Sequence, residues 1–147
     1  MTTTTPLLGI ASDHAGFELK RALVAELERR GLSVRDFGTH DTQSCDYPDF
    51  AHALARAIEA GEIERGILVC GTGVGMSIAA NRHRGVRAVV CSEPFSARMA
   101  RQHNDANVLC LGARVVGIGT ALDVLEAFLG ASFEGGRHAA RVAKLNG

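Results

Sequence analysis

The sequence predicts an α/β fold: an open, doubly wound, Rossmann-like sheet of five parallel strands, covered by helices on both faces to give three layers. Three observations predict it. Five short apolar segments alternate with stretches of helical periodicity, the rhythm of repeated β-α-β units. The third and fourth segments, Gly66 to Cys70 and Val86 to Cys91, are apolar almost throughout, as expected of parallel strands buried on both sides. Glycine and proline mark where the helices between them stop and start.

In chain order, the first strand is expected over Leu7 to Ala11. Leu19, Leu23 and Leu27 then repeat at helical spacing and stop before Gly31. A second strand covers Ser33 to Phe37. Asp46 and Pro48 supply a capping side chain and a first-turn proline for a helix whose Phe50, Leu54 and Ile58 repeat before Gly61. The third strand runs into the loop Cys70-Gly-Thr-Gly-Val-Gly75 and a helix reaching Asn81. Ser92-Glu93 followed by Pro94 opens the next helix after the fourth strand, and Val108 to Leu111 form the fifth. Leu122, Leu125 and Leu129 define a helix ending near Gly130, and a last helical stretch begins near Gly136.

A chain of 147 residues with 46% hydrophobic content, no internal repeat and no linker reads as one domain over residues 1–147. Sixteen basic residues balance sixteen acidic ones, so no field of one sign exists to recruit nucleic acid or an anionic membrane. The opening Met1-Thr-Thr-Thr-Thr-Pro6 lacks the basic and apolar parts of a leader, and the expected location is the cytoplasm. Cysteines 45, 70, 91 and 110 form no C-x-x-C pair, so reduced thiols are expected, with Cys91 and Cys110 in the core. Scattered Cys and His residues show no metal-ligand spacing, so neither metal nor cofactor is expected. Arg82, His83, Arg84 and Arg87 read as a solvated turn.

In a doubly wound sheet, ligands collect beyond the carboxyl ends of the strands, where strand order reverses. Those ends carry Ser12-Asp13-His14, Cys70-Gly-Thr-Gly-Val-Gly75, Ser92-Glu93-Pro94 and Gly112-Ala-Arg114. The glycine loop follows the third strand with G-x-G-x-G spacing, which is neither a dinucleotide fingerprint nor a P-loop. Its Gly71, Gly73 and Gly75 expose backbone N–H groups at the positive end of the next helix, an anion cradle, although glycine turns also serve packing alone. Thr72 adds a hydroxyl and Cys70 a thiol, and a helix N-terminus favours the thiolate, the form that takes protons.

Several other residues have two readings. Asp13 is either a proton acceptor or a simple cap, and His14 either a ligand contact or a solvated side chain. His103 and Asn104 occupy a polar turn that uses such residues anyway. Tyr47 adjoins a cap and a proline, so packing explains it as well as ligand contact does. Arg137 and Arg141 lie one helical turn apart, where like charges repel unless an anion such as phosphate sits between them; the alternative is a solvated face.

Taken together and in order, Ser12-Asp-His-Ala-Gly16, Asp46-Tyr-Pro48, the Cys70–Gly75 loop, Ile78-Ala-Ala-Asn81, Ser92-Glu-Pro94, Arg101-Gln-His-Asn104, Gly112-Ala-Arg-Val115 and Gly136-Arg-His138 resemble the ribose-5-phosphate isomerase type B family. That family also includes allose-6-phosphate and galactose-6-phosphate isomerases. The resemblance implies a metal-free aldose–ketose isomerisation of ribose 5-phosphate and ribulose 5-phosphate through a cis-enediolate, a step of the pentose phosphate pathway. It implies that Cys70 moves the proton between C2 and C1 while Thr72 and the amides around Gly71, Gly73 and Gly75 hold the enediolate oxygen. His103 and Asp13 would open the sugar ring. His14, Arg114, Arg137 and Arg141 would take the phosphate, with Tyr47 and Asn104 placing hydroxyls. It further implies a homodimer, or a dimer of dimers, in which His103 and Asn104 face the neighbour's Cys70. Some relatives carry a carboxylate base where this chain has Met76, so retention of Cys70 indicates the thiol variety. The rival readings are an isomerase of a six-carbon 6-phosphate and a non-catalytic module that binds a sugar phosphate or nucleotide on the same loop.

Overall fold

A computed structural model describes residues 7–147; the Met1–Pro6 opening read above lies outside the described residues. The elements follow in the order β1 (Leu8–Ser12), α1 (Phe17–Arg29), β2 (Val34–Asp36), α2 (Tyr47–Glu59), β3 (Arg65–Cys70), α3 (Val74–Ala80), β4 (Ala88–Val90), α4 (Pro94–Asn104), β5 (Val108–Gly112), α5 (Ile118–Gly130) and α6 (Arg137–Ala143). The five strands form one sheet in the order β2-β1-β3-β5-β4, every neighbouring pair parallel. Strand order reverses between β1 and β3, which places the carboxyl ends carrying Asp13 and Cys70 side by side.

Alternation along the central strands divides the core in two. Ile67 and Val69 of β3, with Leu109 and Leu111 of β5, pack under α1, α4 and α5 through Leu23, Leu27, Ala97, Val124, Leu125 and Phe128. Leu68 and Cys70, with Val108 and Cys110, face the other way onto α2 and α3 through Leu54, Ala55, Met76 and Ala80. Among the described residues, no helix is long and apolar enough to cross a membrane.

The helix stops follow the sequence. Gly31 and Gly61 take φ of +79° and +77°, and in each case the next two amides fold back: Gly31 N–H to the Glu28 carbonyl and Leu32 N–H to Leu27, Gly61 N–H to Ile58 and Glu62 N–H to Ala57. This double closure satisfies the last carbonyls of α1 and α2. The starts follow it less closely. Glu93 caps α4 by accepting from Ser96 N–H, whereas Asp46 occupies the α2 cap position without a side-chain bond, and Pro48 alone marks that helix start.

Two readings are corrected. The fourth apolar segment is not a strand covered on both faces: β4 is a three-residue edge strand, and Val90 is 44% exposed. The turn at 82–87 is not simply solvated. His83 joins Glu59 through Nδ1 and His52 through Nε2, each at 2.8 Å, and Arg87 donates to the Asp105 carbonyl at 2.7 Å. Clustered charges suggest water, but here partners from α2 and the α4 terminus lie within reach.

Candidate active site

Cys70 is the last residue of β3, and its side chain is buried. The chain then turns sharply, so that the Gly73 amide points back and donates to Cys70 Sγ at 3.1 Å. Gly73 holds φ +81°, and a Cβ there would stand 2.7 Å from Val90 and 3.0 Å from the Leu111 backbone. Only glycine fits that turn. Thr72 Oγ1 accepts from Val74 N–H at 3.2 Å, so the hydroxyl braces the turn into the short helix α3 and keeps its own proton free to donate. Ala113 N–H donates to the Cys70 carbonyl at 2.8 Å and Arg114 N–H to that of Gly71 at 3.0 Å, which fastens the loop to the end of β5. The Arg114 side chain lies across Gly71, 3.7 to 3.9 Å from where a side chain there would begin.

Asp13, Tyr47, Cys70, Gly71, Thr72, Val74, Gly75 and Ile78 line one open cavity of about 410 Å³. Asp13 is buried, and its Oδ1 accepts from Gly16 N–H at 3.0 Å. That oxygen braces the turn ahead of α1 rather than capping the helix, whose cap position is Gly16 with no side-chain bond, and the residue still reaches the cavity. The Tyr47 ring presses on Gly75, where a Cβ would fall 2.5 Å from Cε1. His14 Nδ1 accepts from Cys45 N–H at 3.2 Å, which leaves Nε2 as the protonated nitrogen of the neutral ring.

The remaining candidates stand elsewhere. Asn104 lines a separate cavity of about 350 Å³ with Asn81, Arg87 and Leu145. Arg137 and Arg141 are exposed on α6 and have no carboxylate within ion-pair distance among the described residues. His103, at the end of α4, stacks on His138 of α6 with ring centroids 4.2 Å apart and planes 11° from parallel. Glu134 Oε1 sits 3.9 Å from His103 Nε2 and 3.6 Å from His138 Nε2. Burial, followed by the His103 and Arg137 charges, pushes the His138 pKa down. The structure thus places Asp13, Tyr47, Cys70, Gly71, Thr72 and Gly75 around one cavity, and keeps His103, Asn104, Arg137 and Arg141 out of its lining.

Reasoning from the sequence missed Glu134 and His138 as partners of His103, as well as the Cys45 contact on His14. The four-residue step from Glu134 to His138 is a signal in the sequence, but nothing there aims it at α4. The three groups His103, Glu134 and His138 offer donor atoms within 4.8 Å of one another, a cluster the sequence spacing did not foretell. Imidazole lone pairs lie in the ring plane, however, and two nearly parallel rings direct theirs along separate planes. One ring would have to turn before both could hold a single ion.

Two of the other thiols, Cys91 and Cys110, are buried in the core. Burial pushes Cys91 up to about 11 and raises Cys110 well above the usual thiol range, so both stay protonated, and none of the four cysteines is in a disulfide.

Comparison with known proteins places this geometry. The Ribose/Galactose Isomerase family profile matches residues 8–145. Ribose-5-phosphate isomerase B of Escherichia coli K12 is 54% identical over 135 residues, covering 92% of this chain and 91% of the relative. The structure of Clostridium thermocellum ribose-5-phosphate isomerase B superposes with a TM-score of 0.94 at 55% identity, covering 95% of this chain and 94% of that one. The Mycoplasma genitalium ribose-5-phosphate isomerase B, solved with bound ribulose-5-phosphate, superposes at 0.93 with 40% identity, over 97% and 95% of the two chains.

Proposed function

The chain belongs to the Ribose/Galactose Isomerase family, and from that premise we infer that it is an aldose–ketose isomerase interconverting D-ribose 5-phosphate and D-ribulose 5-phosphate. The observation that carries the mechanism is the Gly73 amide on Cys70 Sγ, inside a cavity that also holds Asp13 and Tyr47. The reaction needs a base for a weakly acidic C–H beside a carbonyl, and fixed donors for the oxyanion that results.

Cys70 takes the C2 proton of the open-chain aldose and returns a proton to C1. The Thr72 hydroxyl and the amides around Gly71, Gly73 and Gly75 hold the enediolate oxygen; losing one such donor typically costs ~3 kcal/mol of barrier. The substrate arrives as a closed furanose. His103 protonates the ring oxygen as the C1–O bond breaks, and Asp13 accepts the anomeric hydroxyl proton. His14, Arg114, Arg137 and Arg141 bind the phosphate, while Tyr47 and Asn104 place hydroxyls. Side chains and amides supply both proton transfer and charge stabilisation, so a chelator should leave the rate unchanged.

His103, Asn104, Arg137 and Arg141 stand outside the lining of their own chain's Cys70 cavity, which supports a homodimer, or a dimer of dimers, with sites completed across the interface. Exposed Val74, Ile78, Val90 and Phe95, on α3, the β4 edge and the start of α4, are the apolar surface such an interface would cover. The chain works as one domain over 1–147, in the cytoplasm, on a small sugar phosphate and on neither nucleic acid nor membrane. Turnover of ribose 5-phosphate against allose 6-phosphate by the purified protein tests the reading. Pentose conversion that depends on Cys70 is expected, and full activity in Cys70→Ala would reject the thiol as the base.

A further inference from the structure

The stacked pair His103 and His138, with one carboxylate facing both, is more than a pair of ring contacts. His138 is buried, its Nε2 has no hydrogen-bond partner, and the nearest charged acceptor is Glu134 Oε1 at 3.6 Å. The same oxygen stands 3.9 Å from Nε2 of His103. The Glu134 backbone is fastened beside α4, its amide donating to the Gln102 carbonyl at 3.0 Å, one residue before His103. Two imidazoles stacked at 4.2 Å cannot both carry a charge cheaply, and the buried ring is the poorer host. Of the two rings His103 is the more exposed, 37% against 8%, so it is the one open to a ligand while the carboxylate and the buried ring hold it from behind.

We propose that Glu134 and His138 are positioning residues for His103: they fix its ring plane and keep its proton in place for opening the furanose, and they take no part in moving the proton between C2 and C1. This rests on the ring-opening role given to His103 above. In that step the C1–O bond of the hemiacetal breaks, the ring oxygen takes the His103 proton, and the anomeric hydroxyl proton passes to Asp13 as C1 becomes the aldehyde carbon. The ketose has its 5-position phosphorylated and is acyclic, so it reaches the enediolate without any ring chemistry.

That difference separates the two steps. The test measures conversion of ribose 5-phosphate, which must open its ring, alongside solvent deuterium entry at C1 of ribulose 5-phosphate in heavy water, followed by NMR. Glu134→Gln and His138→Phe should each slow conversion roughly tenfold or more, a part of the ~10²–10⁴ that a general acid contributes, while deuterium entry stays at the wild-type rate. Glu134 is half exposed, so Glu134→Gln keeps the test valid if His138→Phe fails to fold. His103→Asn serves as the reference and should show the same split more deeply. If His103→Asn splits the two rates and Glu134→Gln does not, or lowers both equally, the positioning role is overturned. If His103→Asn itself lowers both equally, the ring-opening reading falls and this inference falls with it.

Discussion

The glycine loop after β3 and the histidine cluster between α4 and α6 are built on opposite plans. In the loop, six consecutive residues supply the thiol, the hydroxyl and the amides, and backbone hydrogen bonds fix their geometry. In the cluster, His103 meets Glu134 and His138, about thirty residues further along the chain, and the contacts are between side chains at 3.6 to 4.2 Å. A site drawn by the backbone tolerates little change in its glycines. One held by side chains degrades in steps as its supports are removed.

The contrast is sharpest at Cys70. Cys70→Ser keeps an acceptor for the Gly73 amide but replaces the thiol with a far weaker acid, and kcat for ribose 5-phosphate should fall roughly 10²-fold or more, with the fold intact by circular dichroism. Retained turnover would remove the loop from the chemistry. Gly73→Ala comes next. A methyl group at φ +81°, pressed against Val90 and the Leu111 backbone, should cost about 1–3 kcal/mol by denaturant titration and disturb turnover as well. An unchanged midpoint would mean that the loop is less fixed than its hydrogen bonds imply.

On the cluster side, Arg137→Ala should raise KM roughly tenfold with kcat nearly kept, the loss of one charge-assisted contact to phosphate. An unchanged KM would detach α6 from the substrate. The smallest effect concerns acid stability. Burial holds the His138 pKa below its unfolded value of ~6.5, so on acidification the unfolded chain gains a proton that the folded chain refuses. Stability present above that value is lost as the pH falls through it. His138→Phe should therefore flatten the dependence of Tm between neutral pH and pH ~5; an unaltered slope would place the acid sensitivity elsewhere.

The same contrast explains what the sequence disclosed. The loop is contiguous, so residue order alone exposed Cys70, Thr72 and the glycines, and the apolar runs exposed the strands around them. Asp13 was legible because strand ends converge in a doubly wound sheet, whereas Tyr47, on the first turn of α2, stood out only through the resemblance of Asp46-Tyr-Pro48 to the family. Glu134 and His138 were not, since their value lies in the docking of α6 against α4, which no local period encodes. Nor could composition tell that β4 lies at the edge, because an apolar strand reads alike whether a helix or another surface covers it. The histidine chain from His52 through His83 to Glu59 stayed hidden for the same reason, its members being 24 and 31 residues apart.

The Gly73 amide that donates to Cys70 Sγ gives this protein a spectroscopic window on its own chemistry. A hydrogen bond to sulfur lengthens or tightens with the charge on that sulfur, and the amide proton resonance moves with it. Isotope labelling of glycine alone would let that resonance be followed as ligand is titrated, reporting the thiol's state with no probe attached near it.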